Sequence, residues 1–401
     1  MTDFAQTRRL FHLPDGVIYL DGNSLGPLPK AAKDRVAAMM VDEWGDMLIR
    51  GWNEANWMTM PRRIGDRVGR LIGAPDGCVV MGDTLSIKVY QALASALDIM
   101  AEQDPKRRTI LSDNGNFPSD LYMAEGLIQT LDRGYQLKVV TPEEVEAAID
   151  ETIAVTMLTE VDYRTGRLHD MKALTRKAHA VGALTVWDLA HSAGAIPVDL
   201  AGADADFAVG CSYKYLNGGP GAPAFIYVSP RWADRARPAL SGWLGHERPF
   251  AFDLHYRPGD GVDRMRVGTP PILALAALDA ALDAWEGVDM ADVRARSMAL
   301  CDLFITKVEA RCPELSLGSP RDGSKRGSQV SFLHDEGYAI MQALIARGVI
   351  GDFRAPNAIR FGFTPLYIGE AEVMAAVDIL ADIMTNRLWD QPQFKQKALV
   401  T

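Results

Sequence analysis

The chain has 401 residues, 48% hydrophobic and 23% charged, which is the composition of an ordinary soluble globular protein. Its formal net charge of −10 argues against nucleic acid as a partner, since phosphate binding needs a basic surface. No apolar run reaches the roughly 20 residues of a membrane span, and residues 1–9 are not followed by the apolar core of a signal peptide, so no membrane partner is expected.

The cysteines and histidines lack the spacing of metal sites. The four cysteines form no CxxC pair and the seven histidines no HExxH pattern, so we expect no metal. We interpret the cysteines as reduced thiols of a cytoplasmic protein.

In chain order, a short N-terminal helix and a strand over 17–20 lead into a loop over 21–29 that is rich in Gly, Asn and Pro. Such a loop covers a site or a subunit contact, or is only a turn. Residues 30–73 show helical periodicity interrupted by glycines. The aromatic residues there, Trp44, Trp52 and Trp57, either belong to the core or line an aromatic pocket or interface.

Two strand-turn-helix units follow. The strand 78–81 ends at a turn with Thr84 and Ser86 before a helix over 87–100, which predicts either an anion site or a simple N-cap. The strand 109–111 leads to Phe117 and Pro118 and a helix ending at Leu131. We expect Phe117 to stack on a planar ring, whereas Asp120 in the first turn is also explained by the helix dipole.

From residue 136 to 228 strands alternate with helices of about ten residues, which predicts βαβ units and a mainly parallel sheet covered on both faces. Thr159 ends one of these strands, where its hydroxyl bonds a ligand or only ties the turn. A GxGxxG motif between a strand and a helix is missing, which argues against nicotinamide dinucleotide binding.

Asp188 and Lys214 end two of the buried strands, 26 residues apart, and should meet in the crevice beyond the sheet. A lysine in a low-dielectric pocket can form a Schiff base with an aldehyde. Pyridoxal phosphate supplies an aldehyde, and a buried aspartate keeps its pyridine nitrogen protonated. The alternative is a structural aspartate and a surface lysine.

Beyond residue 230, two polar, glycine-rich stretches, 241–246 and 264–271, precede a predicted long helix over 272–310. The C-terminal part reads as a small α+β domain, with strands over 329–333, 349–354 and 358–363 and helices over 337–347 and 370–385. Arg360 lies among apolar residues of an alternating strand. Its planar fork suits a substrate carboxylate or an internal acidic partner.

Five segments together resemble the kynureninase family, in its bacterial form, among the fold type I pyridoxal phosphate enzymes: Tyr19–Gly26, Asn116–Asp120, Trp187–Gly194, Tyr213–Gly221 and Arg360–Tyr367. The resemblance extends over nearly the whole chain. It implies an aspartate aminotransferase-like α/β fold with a mainly parallel seven-stranded sheet in a large domain and a small α+β C-terminal domain. The expected boundaries are 1–50 for an N-terminal segment joining the small domain, 51–285 for the cofactor domain and 286–401 for the small domain.

The resemblance also implies residue roles. Lys214 carries the cofactor, Asp188 pairs with its pyridine nitrogen, and Tyr213 is a candidate proton donor. The remaining expected cofactor contacts are Thr84, Leu85, Ser86, Phe117, Pro118, Ser119, Asp120, Thr159 and His191, with Trp243 and Thr269 reaching the phosphate from the second subunit of a homodimer. The expected substrate contacts are Arg360 at the carboxylate, Trp57 and Asn23.

The implied reaction is hydrolysis of L-kynurenine, and of 3-hydroxy-L-kynurenine, to anthranilate or 3-hydroxyanthranilate and L-alanine by Cβ–Cγ cleavage. Thr269 differs from the polar residue of some members that prefer the hydroxylated substrate, which leaves the relative preference for the two substrates open and favours kynurenine. One alternative is a cysteine desulfurase or selenocysteine lyase, which needs a cysteine nucleophile on a mobile loop. The other is a non-catalytic scaffold, which has no need of Lys214, Asp188 and Arg360 together.

Overall fold

A computed structural model describes residues 1–397 of the chain. The strands are β1 (Ile18–Tyr19), β2 (Val79–Met81), β3 (Thr109–Asp113), β4 (Gln136–Val140), β5 (Ile153–Thr159), β6 (Leu184–Asp188), β7 (Phe207–Gly210), β8 (Phe225–Val228), β9 (Ser316–Leu317), β10 (Gln329–Leu333), β11 (Val349–Ile350), β12 (Asp352–Arg354) and β13 (Ala358–Gly362). The α-helices are α1 (Phe4–Arg9), α2 (Lys30–Ala38), α3 (Gly51–Glu54), α4 (Met60–Leu71), α5 (Leu85–Gln103), α6 (Pro118–Leu131), α7 (Val145–Ala148), α8 (Met171–Ala180), α9 (Ile272–Ala281), α10 (Met290–Arg311), α11 (Gly337–Ala346), α12 (Glu370–Thr385) and α13 (Pro392–Lys395).

A seven-stranded sheet with the order β2-β8-β7-β6-β5-β3-β4 forms the centre of the large domain. β8 is antiparallel to both of its neighbours, and the other adjacent pairs are parallel. Every residue of β5, β6 and β7 is buried, as expected for apolar strands covered by helices on both faces. The predicted α/β fold with its mainly parallel seven-stranded sheet is therefore confirmed.

Two hydrophobic clusters cover the two faces of this sheet. Successive residues of β6, Val186 and Trp187, belong to different clusters because side chains alternate along a strand. Val89 and Leu93 of α5 pack with Val186, whereas Ile64 of α4 belongs to the cluster of Trp187. Each fully buried aliphatic side chain contributes about 1.5–3 kcal/mol to stability, so this packing fixes the strand ends that bear the polar residues.

The C-terminal residues form a four-stranded antiparallel sheet with the order β12-β13-β10-β9. The N-terminal segment is tied to this part of the chain, because β1 pairs in parallel with β11. The predicted single strand over 349–354 is wrong, since β11 and β12 belong to different sheets.

The predicted continuous helix over 272–310 is also wrong. A 3₁₀ turn, Leu282–Trp285, follows α9, and the chain then breaks at Gly287, which has φ +73°. Asp289 caps the new helix α10 by accepting a hydrogen bond from the Ala291 amide at 2.8 Å. Apolar periodicity on both sides of the glycine concealed this break.

All four cysteines are buried, and none forms a disulfide. Burial raises the pKa of each thiol. Within residues 1–397, none of the helices is long and apolar enough to cross a bilayer.

Candidate active site

A cavity of about 200 Å³ opens where β3, β5, β6 and β7 end. The registers align these ends, since Thr159 of β5 is opposite Asp188 of β6, and Asp188 is opposite Val209 of β7. The cavity is lined by Asn23, Ser24, Leu85, Ser86, Phe117, Ser119, Asp120, Thr159, Tyr163, Asp188, Ala190, His191, Tyr213, Lys214, Arg354 and Arg360. The chain therefore brings strand ends, two helix N-termini and the β12-β13 hairpin to one place.

Lys214 follows β7 and places its Nζ 3.0 Å from Nε2 of His191. Burial, and then the positive charge of Lys214, holds the pKa of His191 well below its usual value. His191 is therefore a neutral imidazole, which can accept a hydrogen bond from the lysine ammonium. The Tyr213 ring lies 5.7 Å from the same Nζ, and burial raises the pKa of its hydroxyl.

Two buried carboxyl groups face the lysine. Burial raises the pKa of Asp188 to about 6, although the charge of Lys214 opposes this shift. One Asp188 oxygen accepts a hydrogen bond from the Ala190 amide at 2.8 Å, and the other has no partner among residues 1–397. Burial also raises the pKa of Asp120, whose Oδ2 is buried without a hydrogen-bond partner in the described chain. Each carboxyl thus keeps an oxygen for a donor in the cavity.

The N-termini of α5 and α6 meet at the other end of the cavity. Ser86 in the first turn of α5 and Ser119 in the first turn of α6 are joined by a hydrogen bond of 2.8 Å between their hydroxyls. The first amides of each helix have no partner within the helix, and the helix dipoles favour an anion there. This end of the cavity has the features of a phosphate site.

Phe117, the residue before α6, is the aromatic ring predicted to stack on a planar ligand. It lines the cavity and packs edge-to-face on Tyr163, with ring centroids 5.2 Å apart and an interplanar angle of 89°. Phe117 would stack on the ring of a bound cofactor, Asp188 or Asp120 would pair with its nitrogen, and the N-termini of α5 and α6 would hold its phosphate. The residues of the cavity are therefore chemically suited to pyridoxal phosphate, and the buried Asp120 oxygen without a partner is consistent with a ligand at this place.

Arg360 on β13 has internal partners. Its Nε donates to Asp352 Oδ1 at 2.7 Å and its Nη2 to Ser24 Oγ at 2.8 Å. Nη1 also bonds the Tyr163 carbonyl, and Nη2 bonds the second Asp352 oxygen. Arg360 therefore has the internal acidic partner that was one of the two alternatives, and it also lines the cavity, so its role at a substrate carboxylate stays a prediction.

The predicted residues divide into three groups. The residues that line the cavity are Asn23, Leu85, Ser86, Phe117, Ser119, Asp120, Thr159, Asp188, His191, Tyr213, Lys214 and Arg360. Thr84, the N-cap of α5, and Pro118, the first residue of α6, lie directly beside it in the chain. Thr159 donates its hydroxyl to the Val161 carbonyl at 3.2 Å, so here it ties the turn.

The third group lies away from the cavity of the same chain. Trp57 is buried against Trp52, and its Nε1 donates to Glu43 at 2.7 Å. Trp243 is 42% exposed, and Thr269 lines a separate small cleft. Trp243 and Thr269 were expected to act on a second subunit, so their place in a single chain leaves that prediction open.

Four lining residues were not predicted: Ser24, Tyr163, Ala190 and Arg354. Arg354 could have been predicted from the sequence, because Asp352 and Arg354 are alternate residues of one strand and so lie on the same face of the sheet. Arg360 follows on the next strand and can lie on that face as well. Ser24 and Tyr163 lie in loops and reach the cavity through long-range contacts, which local sequence patterns do not predict.

The fold and the paired lysine and aspartate define a class, the fold type I pyridoxal phosphate enzymes. The solved structures that resemble the chain include a cysteine desulfurase from Thermococcus onnurineus NA1, with a TM-score of 0.80, 20% identity and coverage of 96% of this chain and 99% of that one. Another is the cysteine desulfurase CsdA from Escherichia coli, with a TM-score of 0.79, 18% identity and the same coverage. At such identities they show the fold alone.

The sequence relatives are more specific. A kynureninase of Pseudomonas fluorescens is 54% identical over 400 residues, 99% of this chain and 96% of that protein. A kynureninase of Burkholderia pseudomallei (strain 1106a) is 51% identical over the same shares. The family model of the kynureninase C-terminal domain matches residues 293–380. The chain belongs to the kynureninase family, and the resemblance and the cofactor predicted from the sequence are confirmed.

Proposed function

We propose that this protein is a kynureninase, which converts L-kynurenine and water to anthranilate and L-alanine, and 3-hydroxy-L-kynurenine to 3-hydroxyanthranilate and L-alanine. The observation that carries the proposal is the placement of Lys214 and Asp188 in one buried cavity of a chain about half identical to kynureninases over nearly its full length. When bound, pyridoxal phosphate supplies an aldehyde for a covalent bond to an amine and a ring that accepts an electron pair.

Water adds to the γ-carbonyl of the substrate, and residues of the chain supply a base, a charge partner and a proton donor. The Lys214 amine is the base that takes the proton from the substrate α-carbon, and neutral His191 at 3.0 Å accepts a hydrogen bond while the lysine is protonated. Asp188, with its free oxygen, would pair with the cofactor nitrogen and hold positive charge there. Tyr213, beside Lys214, is the candidate donor of the proton that the β-carbon takes up when the Cβ–Cγ bond breaks.

Cysteine desulfurase chemistry has less support. That reaction needs an accessible thiolate at the substrate. In this chain none of the four cysteines lines the cavity, all are buried, and burial raises the pKa of each thiol. The similarity to desulfurases is therefore one of fold.

The homodimer expected from the sequence remains part of the proposal. Support comes from large apolar side chains that are exposed in the single chain, Trp44, Trp243, Phe250, Phe252, Leu254 and Leu273. Trp243 and Thr269, which lie outside the cavity of their own chain, are proposed to complete the site of the second subunit. We also propose a cytoplasmic location, consistent with four unpaired cysteines, and the domain boundaries 1–50, 51–285 and 286–401.

The decisive experiment is to add L-kynurenine to the holoenzyme and follow anthranilate fluorescence. Lys214→Ala should abolish turnover and the borohydride-sensitive visible absorption, because it removes the only amine that lines the described cavity apart from the arginine side chains. Lys172→Ala, on the exposed side of α8, is the matched control and should behave as wild type. Absence of anthranilate with cofactor-loaded wild-type protein would refute the proposal.

A further inference from the structure

The cavity contains a second guanidinium group, that of Arg354, which no role described so far uses. β12 and β13 are antiparallel, with Asp352 directly opposite Arg360 and Arg354 opposite Ala358. Because alternate residues share a face of a sheet, Asp352, Arg354 and Arg360 lie on the same face of this hairpin. Both arginines line the cavity.

Most donors of Arg360 are already engaged. A guanidinium has five N–H groups. The protein uses four of them, one on Nε for Asp352, one on Nη1 for the Tyr163 carbonyl and two on Nη2 for Ser24 and Asp352, so one remains on Nη1. Arg360 by itself therefore cannot hold a carboxylate through two parallel hydrogen bonds without releasing a protein partner.

Arg354 has the donors that Arg360 lacks. Its Nη2 contacts Asp352 Oδ2 at 2.7 Å and Ser24 Oγ at 3.1 Å, and its Nη1 donates to the Phe353 carbonyl at 3.1 Å. Its Nε and one N–H of Nη1 make no hydrogen bond among residues 1–397. The side chain is 33% exposed, so these donors are accessible to a ligand.

Ser24 and Asp352 fix both guanidinium groups. The Ser24 hydroxyl accepts from Nη2 of Arg354 and of Arg360, and donates to Asp352 Oδ2. This uses the one donor and two acceptor positions of a hydroxyl. The Asp352 carboxylate bridges both arginines. The guanidinium groups of Arg354 and Arg360 are therefore held in one orientation before any ligand binds.

The charges of this cluster leave one positive charge unmatched. Two guanidinium groups face the single carboxylate of Asp352. Burial, and then the nearby charge of Arg360, lowers the pKa of Arg354, as expected for two cations that repel each other. A single bound carboxylate would balance the cluster.

We propose, on the basis of the kynureninase activity proposed above, that Arg354 is a second substrate-binding arginine, which binds the α-carboxylate of the amino acid together with Arg360, the residue already expected there. Asp352 and Ser24 are positioning residues, which orient the two guanidinium groups and do not touch the substrate.

The test uses the holoenzyme with Arg354→Gln, which removes the charge but keeps a polar side chain. Loss of a charge-assisted hydrogen bond should raise KM for L-kynurenine about tenfold to hundredfold and change kcat much less. Arg347→Gln, which removes a charge paired with Asp382 at the surface of the small domain, should leave KM unchanged. Arg354→Lys should recover part of the loss, because it restores the charge without the fork.

Kynuramine, the analogue without the carboxylate, separates a carboxylate contact from a general defect. Arg354→Gln should leave inhibition by kynuramine unchanged and weaken the binding of L-alanine, followed by the cofactor absorption spectrum. An unchanged KM in folded Arg354→Gln, or an equal loss for kynuramine, would overturn the inference. If the wild type produced no anthranilate, the proposed function would fail, and the L-alanine titration would still decide the role of Arg354.

Discussion

The carboxyl group of Asp21 should control substrate binding at alkaline pH. It lies in the loop after β1, and burial, followed by the charge of Asp352, raises its pKa to about 8. Below this pH Asp21 is neutral, and the cluster with Asp352, Arg354 and Arg360 has one net positive charge for the substrate. Above it the cluster becomes neutral. The other titratable groups facing Asp21 are Tyr19, Tyr215 and Tyr367, and burial raises their pKa values, so they stay uncharged.

The size of the effect follows from the pKa. At pH 9 about one Asp21 in eleven is protonated and at pH 7 about ten in eleven, so KM for L-kynurenine should rise about tenfold over this range. Asp21→Asn cannot ionise, and its amide can donate to Asp352 as the protonated acid does. The KM of this variant should vary less than about twofold over the same range, apart from the titration of the substrate itself. The substrate titration affects both proteins equally, so it cancels when the wild-type KM is divided by the variant KM at each pH.

The assay is anthranilate fluorescence at saturating cofactor from pH 7 to 9, with Asp15→Asn, an exposed residue of the same segment, as the control. Stability gives a second readout. Because the folded pKa is above the unfolded value of about 4, the stabilisation is present below pH 4 and is lost as pH rises through 8. Asp21→Asn should therefore gain thermal stability relative to wild type as pH increases. An equal alkaline rise of KM in Asp21→Asn would refute this reasoning.

Two further predictions concern the scaffold. Asp206→Asn should lower the free energy of unfolding by about 2–3 kcal/mol, whereas Asp204→Asn, whose carboxylate is mostly exposed, should cost less than about 1 kcal/mol. Buried Asp206 accepts hydrogen bonds from His179, Thr185, Arg231 and Trp232, and His179 and Arg231 lower its pKa. The difference in unfolding free energy between the two variants should therefore shrink as pH falls below about 4. Equal losses for the two variants in urea unfolding would contradict this. Gly26→Ala should weaken cofactor retention, measured by visible absorption after dialysis, because the new Cβ would lie 2.4 Å from the Lys214 carbonyl. Gly126→Ala on α6, where the added Cβ meets nothing within 4 Å, should retain the cofactor, and the same result for Gly26→Ala would disprove the clash.

The sequence predicted the parts of the site that strand ends define. Apolar runs located β5, β6 and β7, and the residues after them were bound to meet because parallel strands end at one edge of a sheet. Thr159, Asp188 and Lys214 line the cavity for this reason. Residues at helix N-termini, such as Ser86 and Phe117, were predictable from the turns before the helices.

The residues supplied by long-range contacts were harder to predict. Ser24 reaches Arg360 over 336 positions of sequence, and Tyr163 contributes a carbonyl oxygen, which carries no residue-specific signal. Arg360 was expected to have either an internal acid or a substrate, and the pairing of Asp352 with two arginines makes these alternatives compatible. Trp57 suggested an aromatic pocket, and it does line an apolar cleft together with Trp44, but this cleft is separate from the cavity of Lys214 within one chain.

Because all four cysteines are buried, the protein is suited to site-specific labelling with fluorophores. Since their thiols are shielded and protonated, an introduced surface cysteine would be the preferred attachment point for a maleimide dye. Tyr122→Cys on α6 and Gln393→Cys on α13 are both at exposed positions, on a helix next to the seven-stranded sheet and on a helix that packs on α11. A donor and acceptor fluorophore at these two positions would report any change in the distance between the C-terminal domain and α6 when substrate binds.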